Sequence, residues 1–494
     1  MVKGLLFIGL SISLYSQEIR FNNMNEYVNE IVKNNPKAYI EYLNTKVKLN
    51  EVDKEKALYE PTFVSSVNTS SQKIQTTPED NYYMVNEDYT SKSLSGKSSL
   101  LGILPSGGQW EVGIEAIKSK SNYLKNRAIP RQYGTYLSAS FIQPLLKNHG
   151  RNITEIKANS AEIMAQISEV EYKKIITDLV GISIQAYWQL YGAKKVYQNW
   201  KNLVDITEKN LLTVKDLVKI GKLAQTEELM LENTLYLRIG EKLNAKDKIT
   251  ELENQILTLL NINKNQGLEL LFSFNEKVAD KDYYELEDMF KKAINNWDEY
   301  KKVEAKLKYS LLHKNYYENQ LLPELNLKLG GDFRKLNSTL ENSYSDFDDE
   351  HNTWNAGLEL RVPIFGNEMA KKDFENSKLE VLKTKTELDY LAKTLKNSLS
   401  TKIQKVNNTR AQVSYYQKGL DIKRQLLKFE NIKMIKGKVG VSDLLREEEK
   451  LIEYEIKMSE KIIDLKVSEV ILDKTAGFIL DKYSVSINQI NHNN

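Results

Sequence analysis

The chain has 494 residues, with 70 Lys and Arg against 67 Asp and Glu, 8 Pro, 22 Gly and no Cys. Basic and acidic residues alternate along the chain, which excludes the basic stripes of a nucleic-acid binder. The missing cysteine excludes disulfides, thiolate metal sites and an acylated N-terminal cysteine, and the scarcity of proline and glycine suits long helices better than several small globules.

Residues 1–16, MVKGLLFIGLSISLYS, set one lysine before an apolar run from Leu5 to Tyr15, followed by small residues. This is the outline of a secretory signal peptide cleaved before Gln17. The run is too short to span a bilayer, and no later segment has 18 consecutive apolar residues. Entry of the mature chain into a membrane would therefore not use helices. Residues 24–59 have helical periodicity closed by Pro61. From Phe63 the period changes to two. A tyrosine-bearing polar loop follows, then residues 94–118 read as a hairpin around Pro105–Gly108, and a strand from Thr135 to Gln143 ends at Pro144.

Gly150 opens a long helical pattern to Lys219, and a second helix runs from Thr226 to Asn261. Seventy helical residues span about 105 Å, a length typical of coiled coils and helical barrels. Residues 263–285 form a connector, and then the layout repeats. A helix covers 286–320, Pro323 takes the role of Pro61, strands cover 325–333 and 353–362, Pro363 ends the last of them, and a long helix runs from Gly366 to Lys436. A final helix covers 442–480, and 483–494 form a loose polar tail.

Gly221 lies 71 residues after Gly150, and Gly437 lies 71 residues after Gly366. At the resulting offset of 216, Lys222 pairs with Lys438, Leu223 with Val439, Thr226 with Ser442, Glu227 with Asp443, Leu229 with Leu445 and Leu235 with Leu451. The chain is thus a duplicated half-molecule, with repeats at 17–262 and 286–482. Gly221 and Gly437 suit helix-ending turns, where the backbone reverses without Cβ strain.

Alternation of apolar and small polar residues fits a transmembrane strand and a half-buried soluble strand equally well. The splicing of strand pairs between very long helices, at the same place in both repeats, favours the membrane. A few strands per chain cannot close a barrel, and open edges in lipid cost several kcal/mol per unsatisfied group, so copies must assemble.

The order helix, NNP (Asn34–Pro36), YEP (Tyr59–Pro61), strands, QPLL-x-N-x-G (Gln143–Gly150), long helix, Gly221 and helix recurs with LLP (Leu321–Pro323) and VPIFG (Val362–Gly366). Nearly the whole chain resembles the TolC family of outer-membrane efflux proteins. The resemblance implies a mainly α fold with a membrane β part, in which a duplicated long-helix tunnel joins strands of a trimeric β-barrel. It implies a homotrimer in the outer membrane, in contact with its lipid, with a periplasmic tunnel. The partners it implies are a periplasmic adaptor (membrane fusion) protein and an inner-membrane transporter of RND, ABC or MFS type. Two strands per repeat make 12 in a trimer, with the 94–118 hairpin as an accessory; counting the hairpin makes 18. Pro61, Pro144, Gly150, Pro323, Pro363 and Gly366 fall at the barrel–helix junctions, and Gly221, Lys222, Gly437 and Lys438 at helix tips where adaptors would dock.

Glu227 and Asp443 match a family acidic position at the periplasmic entrance. Arg446 stands where a second acidic residue can occur, and Val439 where a linking arginine can occur. Asp443 and Arg446 are therefore expected to pair at the constriction, although their i, i+3 spacing equally makes a plain surface pair. Trp110, Tyr136 and Trp354 are candidates for an interfacial aromatic girdle, whereas Trp188 and Trp200 suit helix packing. The four histidines are scattered, and neither a catalytic constellation nor a phosphate loop is present, so no enzyme, metal or cofactor is expected. The function implied is passive export through an outer-membrane exit duct of a tripartite efflux or type I secretion system. The alternative is a periplasmic coiled-coil structural or adaptor protein without its own pore.

Overall fold

Proline and glycine punctuate the computed structural model at the predicted places, but one sequence run often becomes two elements. The structure describes residues 18–75, 77, 88–126, 129, 131–263, 269–272, 284–344, 352–436 and 438–487. The expected signal peptide at 1–16 and Gly437 lie outside them. The first helix is split into α1 (Met24–Asn34) and α2 (Pro36–Lys56). Pro36 disfavours helix in the residue before it, and Asn35 adopts φ −74°, ψ 124°. Its side chain accepts from Lys37 N–H at 3.0 Å and donates to the Leu259 carbonyl at 3.0 Å. The second copy breaks likewise, into α5 (Leu286–Asn296) and α6 (Asp298–Gln320), at Trp297 with φ −76°, ψ 117°. No proline marks that break.

The long helices are α3 (Ile156–Lys219, 64 residues) and α7 (Glu368–Ile435, 68 residues), about 96 and 102 Å long at 1.5 Å per residue. Each is followed by a 35-residue helix, α4 (Gln225–Leu259) or α8 (Val441–Thr475). Gly150 opens the first copy with φ +96° and Gly366 the second with φ +97°.

Inter-residue contacts divide the chain into two units that cut across both repeats. One comprises 1–45, 169–302 and 388–494. Among its described residues the core is three apolar clusters, the first built on Tyr27, Ile31, Ile176, Ile184, Leu190 and Ile256. Trp188 packs there at 6% exposure, as expected of a helix-packing residue. Two four-residue strands, β1 (Glu18–Phe21) and β6 (Glu269–Phe272), pair in parallel in this unit. The connector therefore carries a strand that its sequence does not advertise. The tail is not loose throughout: Val485 is 7% exposed and Ile487 packs against the first cluster.

The other unit, 46–168 and 303–387, holds a six-stranded antiparallel sheet. Its strands are β2 (Thr62–Gln75), β3 (Asp88–Ile103), β4 (Gln109–Ser121), β5 (Gln132–Pro144), β7 (Glu324–Asn337) and β8 (Asn352–Arg361). They lie in the order β2-β3-β4-β5-β7-β8, in unbroken register. This corrects one expectation. The 94–118 hairpin is not accessory: as β3–β4 it lies between β2 and β5, bonded on both sides. Gly102 allows its tight closure, because a Cβ there would meet the Trp110 indole at 2.5 Å.

Candidate functional site

Because side chains alternate along a strand, unbroken register assigns each residue of the sheet to one face. One face carries Phe63, Val67, Leu100, Val112, Ile114, Leu137, Leu329, Phe333, Trp354 and Leu358, linked row by row across the strands. These side chains are 41–79% exposed. Hydroxyls on this face satisfy one another, as Ser65 and Ser98 do at 3.0 Å. The opposite face is polar, and most of its charges are paired: Lys97 with Glu111 at 2.7 Å, Arg361 with Glu359 at 2.7 Å, and Lys328 with Glu359. An apolar face of this extent is a liability in water. With a charged, self-neutralised face behind it, it fits lipid on one side and an aqueous lumen on the other.

Trp110 and Trp354 occupy the apolar face, as expected of a girdle, but Tyr136 does not. It is the cross-strand partner of Arg334 on the polar face, whose guanidinium lies 5.2 Å from its ring centroid.

The two outermost strands, β2 and β8, each have one unpaired edge. Neighbours in the sheet alternate in direction, so a β2 strand placed beside β8 would run antiparallel to it. An even number of strands per chain therefore permits closure without a parallel seam.

The predicted junction residues lie where strand passes to helix or turn. Pro61 directly precedes β2, Pro323 directly precedes β7, Pro144 ends β5 and Pro363 follows β8. The turn from Pro144 to Gly150 is tied by Leu145 N–H to the Leu325 carbonyl at 2.8 Å and by Asn148 N–H to Asn319 Oδ1 at 2.8 Å. Beside it, Tyr59 donates to Glu155 Oε1 at 3.0 Å.

At the helix tips the duplication extends to individual bonds. Gly221 has φ +68°, and Lys222 N–H donates to the Leu217 carbonyl at 2.9 Å. In the second copy Lys438 N–H donates to the Lys433 carbonyl, also at 2.9 Å. Glu227 N–H bonds Ala224, and Asp443 N–H bonds Gly440, at the equivalent positions. Leu211, Val214, Leu231, Val441 and Leu445 form a small apolar core that brings the tips of both repeats together. Lys222 and Lys438 are exposed.

Asp443 and Arg446 do pair, within one chain, at 2.8 Å with side chains 37% and 62% exposed. This is the geometry of a surface pair at i, i+3, worth a few tenths of a kcal/mol. Glu227 is more confined: its Oε2 is buried without a hydrogen-bond partner, and a side chain at Gly440 would meet its Oε1 at 3.8 Å. That places a carboxylate beside the first turn of α8, where the helix dipole favours negative charge.

A stronger polar link was not anticipated. Arg238 of α4 and Glu448 of α8 form a salt bridge at 2.7 Å with both side chains 4% exposed. Arg238 also donates to Thr207 Oγ1 of α3, and Asn210 Nδ2 donates to Glu448 Oε1 at 3.2 Å. Burial raises the Glu448 carboxyl above its ordinary value, against the opposing pull of Arg238. The sequence held one signal: Leu231, Arg238, Ala245 and Leu252, all buried, step by seven along α4. A charge at such a seam position needs a partner.

No family model matches the chain, and no curated protein matches it. Among solved structures, CusC, described in terms of transmembrane channel formation, matches with a TM-score of 0.66 at 12% identity, over 94% of this chain and 95% of that one. The CmeC outer membrane channel of Campylobacter jejuni matches with a TM-score of 0.66 at 13% identity, over 92% and 85%. The open state of the MtrE outer membrane channel of Neisseria gonorrhoeae matches with a TM-score of 0.64 at 12% identity, over 92% and 88%. The chain therefore has the fold of outer-membrane channels along nearly its whole length.

Proposed function

We propose that the protein is the outer-membrane exit duct of an export system, passive in itself, assembled as a homotrimer. The observation that carries this reading is the two-faced sheet with two open edges. Its exposed apolar face asks for lipid, its paired charges for water, and its edges for further copies of the chain. The likeness in fold to the channels supports it, as does the sequence resemblance to the TolC family. The long helices would wall a periplasmic tunnel, with the tips of α3/α4 and α7/α8 at its entrance. An adaptor would dock there, around Gly221, Lys222, Gly437 and Lys438, and an inner-membrane transporter would supply the energy.

Three copies of a six-stranded sheet make a barrel of 18 strands, not 12. Element spacing matches the strand wall to the helix wall, chain for chain, as three copies illustrate. Eighteen strands about 4.8 Å apart and tilted about 40° have a circumference of about 110 Å. Twelve helices, four from each chain, at spacings of about 9 Å need nearly the same. A strand wall and a helix wall of equal girth can belong to one duct.

The natural chain has no cysteine, so introduced ones report cleanly. Asn355→Cys on β8, combined with single cysteines stepped along β2, is expected to cross-link copies into ladders ending at the trimer. Heat-modifiable trimers in detergent-extracted outer membrane and single-channel conductance are expected alongside. A soluble monomer would overturn the reading.

A further inference from the structure

Lysines gather on the apolar face where it ends, at the edge of the sheet remote from the junction prolines. Lys92 on β3 is the direct cross-strand partner of Lys120 on β4, and Lys118, two residues earlier, lies on the same face. Like charges placed opposite each other destabilise a strand pair. Lys73, on the same face of β2, has its counter-charge, Asp88 at 2.9 Å. Asp88 is also the only carboxylate that the register places on this face among the described strand residues. Glu111, Glu115, Asp332 and Glu359 all alternate to the other side. Lys92, Lys118 and Lys120 accordingly make no salt bridge among the described residues, and Lys118 is held 5.8 Å from the Tyr133 ring centroid. Three cations thus sit above an apolar band with no counter-anion among the described residues.

We infer that Lys92, Lys118 and Lys120 bind the phosphate groups of a phosphorylated glycolipid in the outer leaflet, whose acyl chains lie against Leu94, level with Lys118, and against Ile114 and Leu137 below. Charge complementarity selects phosphate, and the apolar rows beneath select a lipid as its carrier. The site relieves the Lys92–Lys120 repulsion and fixes the depth of the sheet in the membrane. It presupposes the outer-membrane reading above.

The test uses the full-length protein in detergent, with native mass spectrometry to count bound lipid and diphosphoryl lipid A as the probe. The K92Q/K118Q/K120Q variant is expected to bind it about 100-fold more weakly, from three lysines near a charged surface. Lys73→Gln should leave binding unchanged, and K92R/K118R/K120R should retain it. The triple glutamine variant should still give heat-modifiable oligomers and wild-type conductance, which separates loss of the site from loss of the fold. Undiminished lipid binding by a conducting triple variant overturns the site and leaves the channel intact. Equal binding of a dephosphorylated lipid A, or full displacement by millimolar inorganic phosphate, also overturns it, by removing phosphate or lipid from the recognition. A wild-type protein without channel activity overturns the membrane reading, and this site with it.

Discussion

At the helix tips the two repeats share their hydrogen bonds: Lys222 to Leu217 matches Lys438 to Lys433, and Glu227 to Ala224 matches Asp443 to Gly440. In the sheet they diverge, because the first repeat supplies β2 to β5 and the second only β7 and β8. A helix reversal has few backbone solutions, and the described bonds on either side of it recur in both copies. A sheet accepts a hairpin at no cost to its neighbours, provided that the strand number stays even and the faces keep register. The turn constrains the tips more tightly than strand pairing constrains the sheet.

The largest expected effect concerns a link between the repeats that has no counterpart by duplication. Arg238→Met strands the Glu448 charge in a dry seam and should cost about 3–5 kcal/mol. Adding Glu448→Leu should recover most of it, as urea unfolding of the folded protein would report. The same pair sets a pH dependence. The Glu448 carboxyl is raised by burial, so its contribution is fully present below the ordinary carboxylate value and is lost as pH rises through the raised one. Thermal unfolding from pH 7.5 downward should therefore show the wild type gaining on Glu448→Gln.

The divergence in the sheet can be probed by charge. Ile114→Arg, on the apolar face of the hairpin, should cost about 2–4 kcal/mol if β4 lies in lipid. Glu115→Gln, one residue along on the polar face, should leave the oligomer band unmoved. Equal tolerance at both positions would return the hairpin to an accessory role. The tips are probed next. Gly221→Ala meets a left-handed backbone and should cost about 1–2 kcal/mol, and Gly437→Ala should match it if the turns are equivalent. The smallest effect is expected for Asp443→Ala with Arg446→Ala, a few tenths of a kcal/mol in stability. A change in conductance or leak in that variant would restore the pair to a gating role.

What could be read from the chain was local. Alternation located five of the sheet's strands to within a few residues of each end and the sixth by its core, and Pro61, Pro144 and Pro323 marked its boundaries. Non-local pairing was hidden. Nothing in residues 94–118 says that β4 pairs with β5 rather than folding aside, and β1 and β6 are four-residue strands separated by some 250 positions. The break at Trp297 lacks the proline that announces its counterpart at Asn35. Arg238 and Glu448 lie 210 residues apart, and only the heptad step around Arg238 hinted that its charge is buried. Tyr136 was misplaced because composition cannot decide parity, whereas register can.

The even strand count has a consequence for evolution by insertion. In the threefold barrel proposed above, one extra hairpin in the chain would appear three times, so the circumference would grow by six strands at a stroke. Barrel diameter rises roughly in proportion to strand number, and the step from 12 to 18 widens the bore by about half. Intermediate calibres are unavailable to a symmetric trimer that grows by whole hairpins. Pore width in such a duct is set like a gear ratio, in fixed increments.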